Sequence, residues 1–90
     1  MSVSSLSTSF AFKKQILDLL NKNLNNINKF LSEQESFDFV KNILHILKKE
    51  NDEILLEKLF RTLLNTCKNS NYKTFYFGED NDEEPFWFFW

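Results

Sequence analysis

The sequence predicts a mainly α protein: a small antiparallel three-helix bundle followed by an aromatic C-terminal segment able to form a short β-hairpin. Three observations point there. The 90 residues hold one Gly and one Pro, Gly78 and Pro85, so nothing earlier punctuates the chain as the turns of an all-β protein would. Apolar residues between Phe10 and Cys67 recur at steps of three and four, the helical period. Beyond Asn71 that period gives way to a run of aromatics. The resulting division is a flexible Ser/Thr-rich lead over 1–9, a bundle over 10–71 and an aromatic, acidic segment over 72–90.

The first helix is expected from Phe10 to Leu31, with Ser7, Thr8 or Ser9 accepting from its unpaired first-turn N–H groups. Phe12, Ile16, Leu20, Leu24, Ile27 and Leu31 form its inward stripe, and Leu17 and Phe30 widen it. Asp18 and Lys22 stand one turn apart on the opposite side. The Asn residues at 21, 23, 25, 26 and 28 are poor helix formers, so packing must hold this stretch straight.

Ser32 and Glu35 have the spacing of a capping box and start the second helix, which runs to about Lys49. Its expected core residues are Phe37, Val40, Ile43, Leu44 and Leu47, broadened by Phe39 and Ile46, with His45 on the polar side. Asn51 suits a left-handed helix end, and Asp52 suits the cap of a third helix from about Glu53 to Lys68. That helix turns Leu55, Leu56, Leu59, Phe60, Leu63, Leu64 and Cys67 inward and pairs Glu57 with Arg61 outside. Short connections imply antiparallel neighbours. Tyr72 to Phe77 reads as a strand, Gly78 to Pro85 as an acidic loop, and Phe86 to Trp90 as the returning strand.

Composition excludes several function classes. One His and one Cys leave no zinc set and no catalytic dyad of ordinary make-up. His45 reads as a solvated histidine and Cys67 as an inert core thiol. The acids after Gly78 lack the spacing that wraps calcium, and a phosphate-cradling glycine loop is missing. The expectation is therefore a non-enzyme without cofactors. A lone Cys, no secretory pattern at Met1 to Ser9 and no long apolar run predict an intracellular, cytoplasmic protein. Residues 1–78 carry 11 basic and 8 acidic side chains against five acids in 79–84, so a mildly basic body precedes a strongly acidic tail.

The five terminal aromatics, Phe86, Trp87, Phe88, Phe89 and Trp90, are the strongest signal. At roughly 150–250 Å² each they carry on the order of 1,000 Å² of mostly apolar surface. Soluble monomers seldom leave that much contiguous apolar area in water. With Phe75 and Phe77 they are the candidate partner-binding residues, and Glu79, Asp80, Asp82, Glu83 and Glu84 are candidates for electrostatic docking. Asp82-Glu83-Glu84-Pro85-Phe86 resembles the acidic tip ending in Pro-Phe that bacterial single-stranded-DNA-binding proteins offer to partners. Here Trp87 to Trp90 follow that Phe, so the terminal carboxylate is displaced, and no oligonucleotide-binding barrel precedes it.

The sequence thus predicts a non-catalytic protein–protein interaction module, a regulator, inhibitor or small subunit, with its aromatic end as anchor or as the seam of a homodimer. Two alternatives stand beside it. One is a packing protein without a partner surface; the other is a weak nucleic-acid binder regulated by its acidic tail. Scattered lysines argue against nucleic acid as the main partner, and the flanking acids argue against an anionic membrane.

Overall fold

A computed structural model describes the backbone of residues 3–78 and the side chains of residues 8–78. Four helices follow one another: α1 (Val3–Phe30), α2 (Glu33–Lys49), α3 (Glu53–Asn69) and the short α4 (Tyr72–Phe77). The long α1 is the spine. It lies closest to α3, takes α2 along another side, and α4 fits against α1 and α3 near their ends.

The helix boundaries follow from their caps. Ser32 Oγ accepts from the Glu35 N–H at 3.2 Å, and the Glu35 carboxylate accepts from the Ser32 N–H at 2.8 Å, completing the capping box. Asp52 caps α3 by accepting from the Ile54 N–H at 2.9 Å. The two i,i+4 ion pairs form as the spacing indicates, Asp18 with Lys22 at 3.8 Å and Glu57 with Arg61 at 3.0 Å. Both are exposed and contribute at most a few tenths of a kcal/mol each.

Several expectations are corrected. α1 takes in residues 3–9, which composition assigned to a flexible lead; Ser and Thr lower helix propensity without forbidding helix. Ser9 does not cap that helix but donates its hydroxyl to the Asn51 carbonyl at 2.9 Å. Asn51 is not left-handed either. Glu50 ends α2 in an extended conformation, and the Asn51 side chain accepts from Lys13 Nζ at 2.8 Å, tying the α2–α3 connection to α1. The left-handed position is Ser70, at φ 55°, where the Asn71 N–H returns to the Thr66 carbonyl as in a Schellman turn.

Tyr72 to Phe77 is helix, not strand, and the described residues contain no strand. The returning strand expected at 86–90 lies outside the described residues. The reason for α4 is its partners. A lone hairpin has no sheet to lean on, whereas a helical turn satisfies its own backbone and sets Tyr72 and Phe75 on one side, both buried. That side closes on Phe39 of α2. Ring centroids lie 5.4 Å from Phe39 to Phe75, 6.2 Å to Tyr72 and 6.4 Å to Tyr76, and Phe30 of α1 adds a contact with Tyr72 at 5.8 Å. β-propensity yields to packing here.

The core runs from Ile16, Leu20 and Ile27 of α1 through Phe39, Ile43 and Ile46 of α2 to Leu56, Leu59 and Leu63 of α3. These contacts keep the Asn-rich half of α1 helical, with four of its five Asn side chains facing solvent. Relative to the sequence reading, α2 is rotated. Phe39 and Ile46 are buried, and Phe37 and Leu44 are exposed. Leu24 of α1 and Leu55 and Leu64 of α3, also expected inside, reach the surface.

Two stability measurements check this. Phe39→Ala opens a cavity beneath the three rings of α4 and is expected to cost about 3–5 kcal/mol in urea unfolding; a loss under about 1 kcal/mol would contradict the hub. Ser70→Gly relieves a Cβ from the left-handed region and is expected to add about 0.5–1 kcal/mol.

Candidate functional site

With α2 so rotated, a second apolar strip is exposed among the described residues. An open groove of about 1150 Å³ runs between α1 and α2, with Leu24, Phe37, Val40 and Leu44 as its apolar lining and Lys41 and Lys48 along its edge. Phe37 is 63% exposed, Leu44 44% and Leu24 39%, while Val40 is half-buried and joins the groove to the core. His45 also borders it and is exposed, as the sequence places it. Ser36 sits buried in the floor and donates to the Ile27 carbonyl at 3.5 Å, a bond at the limit of length.

The cause lies in α2 itself. Its apolar positions 37, 39, 40, 43, 44, 46 and 47 cover about half the helix circumference at about 100° per residue. Phe39, Ile43, Ile46 and Leu47 on one part of that arc are buried in the core, and Phe37 and Leu44 on the rest are exposed. A single stripe facing the core needs little more than 100°. The width of the arc is thus the sequence signal for this groove, and sequence reasoning missed it by assigning all seven residues to one interior.

The sequence-predicted site residues fare differently. Glu79, Asp80, Asp82, Glu83 and Glu84, and Phe86 to Trp90, lie outside the described residues. Phe75 is a core residue, 7% exposed against Phe39, and so is not at a partner's disposal. Phe77 is half-exposed at the end of α4 and meets the Tyr76 ring edge-on at 4.7 Å. The structure does not bring Phe75 and Phe77 together with the groove.

Chemically reactive groups are sparse. Among the described residues no three His, Cys, Asp or Glu side chains gather as a metal site. Cys67 is partly buried and its burial pushes the thiol pKa up, the wrong direction for a nucleophile. Beside it, Tyr72 is fully buried, and its hydroxyl makes no well-formed hydrogen bond among the described residues. Burial first, and then the neighbouring Cys67, push that phenol up to about 12. Tyr76 donates to the Asp38 carboxylate at 3.3 Å and is also raised, by burial and then by the Asp38 charge. None of the described helices is long and apolar enough to cross a membrane.

Comparison with known proteins gives one informative similarity. A DNA primase of Campylobacter jejuni is 37% identical over 82 residues, a match that takes in 89% of this chain and 14% of the primase. The chain therefore spans about one seventh of that relative, an enzyme by name. No family model matches the chain, and no solved structure does.

The tyrosine environment yields a pH prediction. A phenol whose pKa is raised on folding holds its proton longer in the native state, so its contribution is intact below about pH 10 and is lost as pH rises through about 12. Unfolding free energy should fall over that window. Tyr72→Phe removes an unsatisfied hydroxyl, so it should leave neutral-pH stability equal or higher by about 1 kcal/mol and flatten part of the alkaline fall. A Tyr72→Phe chain markedly weaker at pH 7 would show that the hydroxyl has a partner after all.

Proposed function

We propose that this chain is a non-catalytic, protein-binding helical module of a primer-synthesis system, and that it docks a partner on the α1–α2 face. The observation that carries the reading is the open apolar groove lined by Leu24, Phe37, Val40 and Leu44 and edged by Lys41 and Lys48. Apolar area rimmed by charge is what a docking site offers, and large exposed side chains there act as anchors. The similarity to a 14% stretch of a DNA primase supplies the setting. A segment that small, with neither a carboxylate cluster nor a reactive thiol among its described residues, fits a docking element better than a nucleotidyl-transfer centre. As a small subunit or regulator it would join an assembly rather than perform the chemistry.

Site-specific photo-crosslinking in the source cell tests this. A benzophenone side chain at position 37 should capture a protein of primer synthesis, whereas the same group at Arg61, exposed on α3, should not. Phe37→Ser with Leu44→Ser should abolish that adduct and shift the melting temperature little, since both side chains already face water. Equal adducts from positions 37 and 61 would refute the groove. Primer synthesis by the isolated chain on single-stranded DNA would refute the non-catalytic reading.

A further inference from the structure

We propose that the α1–α2 groove takes a second copy of this chain, α2 lying antiparallel to the α2 of that copy about a two-fold axis beside Val40 and Lys41. The inference rests on the groove being the docking face, and it names the occupant of that face.

The strip that α2 shows to the groove is self-complementary. A two-fold contact uses one patch on both copies, so its chemistry must still match when the strip is read backwards. Glu33, Phe37, Val40, Lys41, Leu44 and Lys48 all line the groove. Their successive spacings are four, three, one, three and four, the same in both directions. Reversed about the point between Val40 and Lys41, Phe37 meets Leu44 of the second copy and Glu33 meets its Lys48. Symmetry makes each contact twice, so two ion pairs close the ends of the strip and two apolar pairs fill its middle.

Charge and geometry agree with that register. Glu33 and Lys48 are exposed, and neither forms an ion pair among the described residues. About 22 Å apart along one helix, they cannot reach each other, whereas a second copy brings the opposite charges together. At about 100° per residue, the six positions fall within roughly 100° of the circumference, the width of one contact stripe. Val40 lies on the side of that stripe that packs against the core. Lys41 lies on the outer side, where its ammonium stays in water; the two Lys41 side chains stand close to the axis and repel. Leu24 of α1 borders the strip, and Leu17, 45% exposed and two turns earlier on the same side, lengthens it. A face of α2 and the flank of α1 about 24 Å long and 20 Å wide offers roughly 500 Å² from each copy. The smallest specific contacts bury about 600 Å² a side, so a weak, reversible dimer is what this face can hold.

Sedimentation equilibrium of the full-length chain over a dilution series tests this, and a monomer–dimer equilibrium in the micromolar range is expected. Leu44→Ser and Phe37→Ser should each weaken it more than about tenfold, while Leu64→Ser, exposed on α3 away from the groove, should not. Glu33→Lys and Lys48→Glu each set like charges together at both ends of the strip. Either should weaken the dimer roughly tenfold at low salt and less at high salt. Mixed in equal amounts, those two variants should associate nearly as tightly as the unmutated chain, because each supplies the charge the other lacks. Lys58→Glu, exposed on α3, changes net charge as Lys48→Glu does and should have no effect. Lys41→Ala should tighten the dimer roughly two- to fivefold at low salt. Helical circular dichroism confirms that every variant remains folded. A chain monomeric at every concentration overturns the proposal. So does a dimer that Glu33→Lys and Lys48→Glu leave intact, or one that mixing the two fails to restore. A monomer that still crosslinks a different protein from position 37 removes the second copy alone and leaves the docking face standing.

Discussion

The ring contacts of Phe39 are the constraint on which the remaining architecture depends. This side chain is fully buried, and it meets Phe75, Tyr72 and Tyr76 of α4 within 6.4 Å. It fixes the rotation of α2, because a helix that points residue 39 inward also points 43 and 46 inward and turns 37 and 44 out. It also selects the conformation of the segment after α3, since Tyr72 and Phe75 can reach the same ring together only when three residues make about one turn. One contact thus decides which way a helix faces, whether a later segment is helix or strand, and where the surface is apolar.

A consequence is a molecule with two apolar regions of different character. The interior is continuous from Ile16 to Phe75 and keeps its few polar groups bonded, apart from the Tyr72 hydroxyl. The α1–α2 groove is open, has lysines at its edge and meets the core at Val40 and at buried Ser36. An interior of this kind accounts for the fold. The groove does not; its apolar side chains are in excess of what the interior requires.

Much of the fold was legible in the sequence because local signals carried it. The Ser32–Glu35 box, the Asp52 cap and the i,i+4 pairs are decided within one helical turn, and each is found as the spacing indicates. What was not legible depends on partners remote in sequence. Choosing among the apolar residues of α2 needed the position of α4, and the state of Tyr72 to Phe77 needed Phe39, more than thirty positions earlier. Phe75 looked like a partner-binding residue for the same reason: an aromatic near a greasy end gives no indication that its ring is already engaged. The groove left one readable trace, an apolar arc on α2 wider than a single interface requires.

The spine arrangement bears on how the chain acquires its structure. α2 and α3 each lean on α1, yet approach one another at few points. The closest pairing, α1 with α3, joins segments some 45 positions apart. Closing so long a loop is entropically costly before its contacts can form. In the folded chain the Asn51 contacts with Lys13 and Ser9 hold the α2–α3 connection against α1. A fold whose main helix pairing is this distant in sequence favours all-or-none folding.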